Sequence, residues 1–298
     1  MEILDFFEKT GREIVLSLGL FDSVHRAHCM LLSLAREKAE AFGAEAAVFH
    51  FTGTVKRMPL YTEKERFFFM EETGVKAAVC APFERIRSLS GEEFFRILTE
   101  NYRIRGIVCG YDYRFGAGAA CGVKELEEFT TRAGIPLFIV ERQAIRRDKI
   151  STTAIKNALS VGDPEGASVM LGRQYSVTGK VQHGYEIGRT MGFPTANIGL
   201  QDRFLPRKGV YIVRAEIDGK KWYGLANLGS APTLDHNKTL LEVHFDGFSG
   251  DLYDRELTVD FLTYYRDIVK FPSREALGKQ LESDVLSLRA YVKENDLE

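Results

Sequence analysis

Apolar and polar positions follow one period up to about Gly172 and another from Tyr175 onward. In the first part, short apolar runs alternate with segments whose apolar residues recur every three or four positions. Ile14-Val-Leu-Ser-Leu-Gly19 reads as a short buried strand. His25 to Phe42 then carries Met30, Leu31, Leu34, Ala35 and Ala39, a helical spacing. The pattern repeats as strand Glu45 to Phe51, helix Thr62 to Glu72, strand Lys76 to Ala81 and helix Gly91 to Tyr102. Strand Gly106 to Gly110, helix Gly122 to Ala133 and strand Pro136 to Val140 complete it. Strands alternating with helices predict a Rossmann-like α/β domain, a parallel sheet with helices on both faces. Such sheets bind ligands beyond the carboxyl ends of their strands, often at helix N-termini.

Ile150 to Leu171 reads as two short helices broken at Gly162-Asp-Pro164, the second closed by Gly172 as C-cap. From Tyr175 the period is two. Tyr175 to Val181, Val210 to Ile217, Trp222 to Leu228, Leu240 to Phe245 and Leu257 to Leu262 predict antiparallel strands. Asp218-Gly219 and Ser249-Gly250-Asp251 mark turns. Strands at this spacing suggest a small antiparallel β-barrel. Ser273 to Asn295 then forms one amphipathic helix, with Leu277, Leu281, Val285, Leu288 and Val292 on one face, closing or flanking the barrel. Ser273 is its N-cap and Glu275 sits where the helix dipole favours a negative charge. Ala276 leaves the capping box incomplete. The change of period divides the chain into residues 1–172 and 173–298.

A length of 298 residues agrees with two domains, and 45% apolar with 28% charged residues supplies ordinary cores. A net charge of −2 offers no argument for a nucleic-acid or membrane partner. The N-terminus lacks the basic-then-apolar order of a signal peptide, and no apolar run approaches the span of a bilayer. Cysteines 29, 80, 109 and 121 have no metal-ligand spacing and read as packing in a reducing compartment. The expected location is cytoplasmic. Nothing in the sequence sets the oligomeric state.

Three stretches carry candidate chemistry. Gly184-Tyr-Glu-Ile-Gly-Arg-Thr-Met-Gly-Phe-Pro-Thr-Ala-Asn197 combines Gly184, Gly188 and Gly192 with Arg189, Thr195 and Asn197. Glycines let a backbone approach a ligand closely, and such loops often cradle phosphates. Thr195 and Asn197 add oxygens suited to a hard metal such as Mg²⁺. The same stretch also reads as a glycine-rich hairpin in a β-domain. At the strand-to-helix turn Gly19-Leu-Phe-Asp-Ser-Val-His-Arg-Ala-His28, His25 and His28 lie three apart on one face of a helix start. They can stabilise charge on a phosphate under attack, or simply cap the helix. In Leu240-Leu-Glu-Val-His-Phe245, Glu242 and His244 share a face opposite Leu241 and Val243. That carboxylate points into the barrel mouth or into solvent. His183 and His244 read as structural.

Gly188-Arg-x-x-Gly-x-Pro-Thr-Ala-Asn197 resembles the signature of riboflavin kinases. Gly209-Val-Tyr211, Asn227-Leu-Gly-x-x-Pro-Thr233, Leu241-Glu-Val-His244, Asp251-Leu-Tyr253 and Phe261-Leu262 follow in that family's order. The resemblance implies that Glu242 is the general base and that Thr195 and Asn197 hold Mg²⁺. Arg266 resembles a residue of a loop near the flavin phosphate. In the first half, Gly19-x-Phe21-Asp22-x-x-His25-x-x-His28 resembles the first motif of the FAD-synthetase module of the nucleotidyltransferase superfamily. Gly110-Tyr-Asp112-Tyr-Arg-Phe-Gly116 resembles its second loop. Ile150-Ser-Thr152-Thr153-Ala-Ile-Lys156 resembles the element that contacts the ATP phosphates. Along nearly its whole length the chain resembles the bacterial bifunctional riboflavin kinase/FAD synthetases. The implied substrates are riboflavin, FMN and ATP, with Mg²⁺.

Four departures fall in the motifs of the first half. Ser23 and Ala27 replace glycines and add side chains where backbone and nucleotide should approach closely. Lys156 replaces an arginine, keeping charge but losing the planar fork. Phe51-Thr-Gly-Thr-Val-Lys-Arg57 lacks the family's Pro-His-Pro segment. Two rivals to a bifunctional enzyme follow: a riboflavin kinase whose first domain is inactive or redirected, and a flavin sensor that binds without turnover.

Overall fold

The computed structural model describes residues 1–53, 58–141, 144–145, 148–183, 192–230 and 239–297. It divides into two compact units, Met1–Thr152 and Thr153–Glu298. The period change at Tyr175 put the boundary at 172. By contacts, residues 153–172 go with the second unit, because helix α7 (Pro164–Leu171) packs on two of its strands, Tyr175–Gln182 and Glu256–Arg266.

The first unit is the parallel α/β sheet that the alternation predicts. Its strands are β1 (Glu2–Asp5), β2 (Glu13–Leu18), β3 (Glu45–Thr52), β4 (Ala77–Pro82), β5 (Arg103–Gly110) and β6 (Leu137–Val140). They pair in parallel in the order β1-β4-β3-β2-β5-β6. The order reverses between β2 and β5, which opens a crevice at their carboxyl ends. Helices α1 (Arg26–Phe42) and α2 (Glu63–Glu71) bury one face with Leu31, Leu32, Ala35, Ala39 and Met70. Helices α4 (Gly91–Asn101) and α5 (Val123–Ala133) bury the other with Phe94, Phe95, Leu98 and Leu126. Met30, counted in the helical stripe, is exposed, and Leu32 takes the buried position. Thr62 and Ser90 start α2 and α4 with complete capping boxes to Glu65 and Glu93. Strand β1 and the one-turn helix α3 (Phe83–Ile86) carry too few residues to show a period. A short hairpin of Ala144–Ile145 and Asp148–Lys149 supplies β7 and β8.

The second unit begins within α6 (Thr152–Val161), at Thr153, and continues with α7. Asp163 caps α7 by accepting from the Gly166 N–H at 2.8 Å, and Gly172, at φ 80°, closes it as predicted. Strands β9 (Tyr175–Gln182), β10 (Ala196–Ile198), β11 (Gly209–Ile217), β12 (Lys220–Ser230), β13 (Thr239–Phe245) and β14 (Glu256–Arg266) form a closed antiparallel barrel, in the order β10-β13-β12-β11-β14-β9. Asp218 and Gly219, at φ 52° and 76°, make the tight β11–β12 hairpin. Tyr211, Val213, Ala226, Leu228, Leu241, Val243 and Phe261 are buried in the interior. The alternate residues Val210, Ile212, Leu225 and Leu262 form an outer cluster with Val285 and Leu288 of the terminal helix α8 (Arg274–Glu294). The helix therefore flanks the barrel. Ser273 caps it by accepting from the Ala276 N–H at 3.2 Å.

Candidate active sites

In the first unit a cavity of about 400 Å³ opens at the carboxyl ends of β2, β5 and β6. Gly19, His25, His28, Gly110, Asp112 and Thr152 all line it. A Cβ at Gly19 would lie 3.0 Å from the Phe21 ring, a tight contact that glycine avoids. His25 and His28 stack with ring centroids 3.6 Å apart, and Phe21 meets His28 edge-on at 5.0 Å. The Nδ1 of His25 accepts the backbone N–H of His28 at 3.2 Å, so a neutral His25 ring carries its proton on Nε2. His25 thus caps α1 while its ring forms a wall of the cavity; the capping and functional readings are compatible. Phe21 is buried beneath the site and Asp22 shapes the turn, its N–H donating to the Leu20 carbonyl at 3.0 Å.

Two departures separate in space. Ala27 lines the cavity, as expected of an added methyl at that position. Ser23 does not. It is fully buried, and its Oγ lies 2.9 Å from Oγ1 of Thr152. Its hydroxyl thus meets a protein partner on the other motif rather than the cavity.

The wall also includes Leu20, Tyr111, Tyr113, Arg114 and Glu141, which were not singled out. Tyr113 and Arg114 belong to the second-loop motif and were legible there. Burial pushes the Tyr113 phenol well above its ordinary range. A second cavity of about 330 Å³ shares Phe51, Tyr113 and Arg114 with the first and adds Phe83, Phe94, Phe115 and Arg87. Thr153 and Lys156 fall in the second unit on α6, where the Lys156 ammonium lies 5.6 Å from the centroid of the Phe204 ring.

In the barrel, strand register assembles a row. Asn197 on β10 and Asn227 on β12 both stand directly opposite Glu242 on β13. Asn227 Nδ2 donates to Glu242 Oε2 at 3.4 Å. The row is half-buried and on the outer face, since Leu241 and Val243 occupy the interior and Leu225, which shares a face with Asn227, lies under α8. Glu242 points neither into the barrel mouth nor into open solvent. On the other face of β13 from this row, a cavity of about 600 Å³ is walled by Thr195, Val243, Phe245, Leu252 and Tyr253; Asn197, Asn227 and Glu242 do not line it. It rests on the same strands β10 and β13, and it gathers the Pro-Thr-Ala and Asp-Leu-Tyr motifs.

The histidines read as structural make local contacts. His183 stacks on Tyr253 at 3.8 Å, and the His244 Nδ1 lies 2.9 Å from the Pro194 carbonyl oxygen. Arg266 grips Asp284 of α8 through Nε and Nη2 at 3.1 and 2.6 Å. The guanidinium has a protein partner where the resemblance implied a flavin phosphate. Gly192, at φ 82°, is exposed. Gly184, Gly188, Arg189, Pro232 and Thr233 lie outside the described residues. Among the described residues no group of three His, Cys, Asp or Glu side chains could hold a metal.

The FAD synthetase family profile matches residues 7–154, and the riboflavin kinase profile matches residues 171–292. A bifunctional riboflavin kinase/FMN adenylyltransferase of Pseudomonas fluorescens is 34% identical over 94% of this chain and 93% of its own. One from Haemophilus influenzae is 33% identical over 93% of each chain. The chain belongs to the family of bifunctional riboflavin kinase/FMN adenylyltransferases. A solved Streptococcus pneumoniae structure, described as a macrolide-efflux protein, shares the fold at a TM-score of 0.87 and 28% identity. That match covers 97% of this chain and 99% of the streptococcal one. The departures at Ser23, Ala27 and Lys156 are thus variations within a family member.

Proposed function

We propose that this chain makes FAD from riboflavin in two ATP-dependent steps, one in each unit. The observation that carries the kinase step is the Asn197–Glu242–Asn227 row on the outer face of the barrel. In our reading the 5′-hydroxyl of riboflavin donates a hydrogen bond to Glu242. The carboxylate orients the alcohol and accepts its proton as the new phosphorus–oxygen bond forms to the γ-phosphate. ADP departs with the electrons of the broken bond. The apolar walls of the cavity suit the adenine of ATP. The Thr195 hydroxyl and Asn197 amide are hard oxygen donors. Mg²⁺ takes few protein ligands and completes its shell with phosphates and water, so this pair fits it. When bound there, the ion would neutralise the phosphates and leaving group. Gly184, Gly188, Arg189 and Gly192 would cradle the phosphates.

In the first unit, a phosphate oxygen of FMN attacks the α-phosphorus of ATP and pyrophosphate leaves. That nucleophile is already anionic, so no base is needed. His25 and His28 position the phosphates and stabilise their developing charge. Gly19 and Gly110 allow close backbone approach, and Asp112 and Thr152 supply polar contacts. We assign the isoalloxazine to the adjoining aromatic cavity, whose Phe51, Phe83, Phe94 and Phe115 suit a planar ring. Dependence on ATP supports a cytoplasmic location. We carry only the fold from the streptococcal efflux description; among the described residues no helix is long and apolar enough to cross a membrane.

The test is a chromatographic product assay with purified protein, ATP and Mg²⁺, started separately from riboflavin and from FMN. FMN from the first and FAD from the second are expected. FMN without FAD would leave a kinase whose first unit has another substrate. Flavin binding with no product would make the chain a sensor.

A further inference from the structure

The first and third motifs of the α/β unit meet at a hydrogen bond that a glycine at position 23 could not make. Ser23 Oγ lies 2.9 Å from Thr152 Oγ1, and Ser23 is fully buried behind the cavity that Thr152 lines. The next residue, Val24, is fully buried with φ 43°. A β-branched side chain is disfavoured in that left-handed region, so the turn keeps this shape only where its surroundings hold it. The turn leads directly into His25 and His28, which stack 3.6 Å apart on the cavity wall. One hydroxyl–hydroxyl contact therefore ties the histidine turn to the Thr152 element across 129 residues of chain.

We infer that Ser23 is a positioning residue for adenylyl transfer, acting through Thr152. It holds the Thr152 hydroxyl toward the nucleotide phosphates and the histidine turn against it, before ATP arrives. A hydrogen bond already formed in the unliganded site lowers the ordering that binding would otherwise require. This inference rests on the reading of the first unit as an ATP site.

The experiment is a double-mutant cycle in the full chain with Ser23→Ala, Thr152→Val and the pair. It reads KM for ATP and KM for FMN in FAD formation, ATP dissociation by calorimetry, and riboflavin phosphorylation in the same preparations. Ser23→Ala is expected to raise KM and Kd for ATP about tenfold, the scale of one lost hydrogen bond. KM for FMN and the riboflavin kinase rate stay unchanged. In the Thr152→Val background the same change has a smaller effect, because the Thr152 hydroxyl is gone. A residue that only supports folding would lower both activities together and leave KM for ATP alone. Equal effects of Ser23→Ala in both backgrounds, or no effect on ATP, overturn the inference. Were the unmodified chain to form no FAD, the reading of the site would fall. The calorimetric cycle would still decide the Ser23–Thr152 coupling, and absence of ATP binding would overturn both.

Discussion

In the first unit the candidate reactive side chains stand on turns beyond the ends of parallel strands, whereas in the second they stand within antiparallel strands. His25 and His28 owe their placement to a turn shaped by Gly19, buried Ser23 and left-handed Val24. Glu242 owes its placement to register alone, since Asn197 and Asn227 are its direct neighbours on either side. A strand site is therefore robust to small side-chain changes and sensitive to slippage, because a one-residue shift would turn Glu242 inward. A turn site tolerates no slippage question, but each added atom matters. That contrast explains where the departures from the family pattern matter: Ala27 adds a methyl to the cavity wall, while Ser23 is absorbed by a partner.

The sharpest way to break the comparison is to disable each site separately. Glu242→Gln should lower riboflavin phosphorylation by about 10²–10⁴-fold, the range for a lost general base, with flavin binding retained and FMN-to-FAD turnover untouched. His28→Ala should lower FAD formation by about 10²-fold and leave the kinase rate alone. Loss of both activities in either variant would show that the units are not catalytically separate. An unchanged kinase rate would remove Glu242 from the chemistry.

Next in size is the support beneath the strand site. Asp284 is buried and held by Arg266 and by Gln280 Nε2 at 2.7 Å. Asp284→Ala should cost about 3 kcal/mol, because it leaves the partly buried arginine without its anion. Thermal unfolding should show the loss in the second unit. A change below 1 kcal/mol would mean that α8 is docked by its apolar stripe alone.

Ala27→Gly sharpens the comparison in the opposite direction. Removing the methyl from the cavity wall should raise FAD formation a few-fold, although glycine in the first turn of α1 should lower stability by about 0.5–1 kcal/mol. A lower rate would show that the methyl contacts the substrate productively.

The smallest effect is on pH dependence. His50 is buried against Glu63, its Nε2 2.8 Å from Oε1, and desolvation outweighs that carboxylate, lowering its pKa from the ordinary 6.5. Above that value both folded and unfolded chains hold a neutral His50, and its contribution is constant. Below it the unfolded chain binds the proton more readily, so stability falls with pH by up to about 1.4 kcal/mol per unit until the folded pKa is passed. His50→Phe should flatten unfolding midpoints below pH 6.5. An unaltered acid slope would place the sensitivity elsewhere.

Much of the architecture was legible because its causes are local. The helical stripe of α1, the capping residues Ser273, Asp163 and Gly172, and the Asp218-Gly219 hairpin all act within a few residues. Strands β1 and β10, of four and three residues, were too short to show a period. The motif residues His25, His28, Asp112 and Thr152 also proved to share one cavity. Glu141 joins them only because β6 ends beside β5 and β2 in the sheet.

The amino-acid sequence alone determined the two periods, and with them a parallel sheet followed by an antiparallel barrel. It also established that Glu242 and His244 share a face opposite Leu241 and Val243. Alternation says which residues face together, but not which face is covered. Only the tertiary structure decided that, by filling the barrel with Leu241 and Val243 and laying α8 over the outer cluster beside the Glu242 row. The same holds for Ser23 with Thr152 and Arg266 with Asp284. A side chain's partner across distant segments is set by how those segments pack, which no local pattern contains.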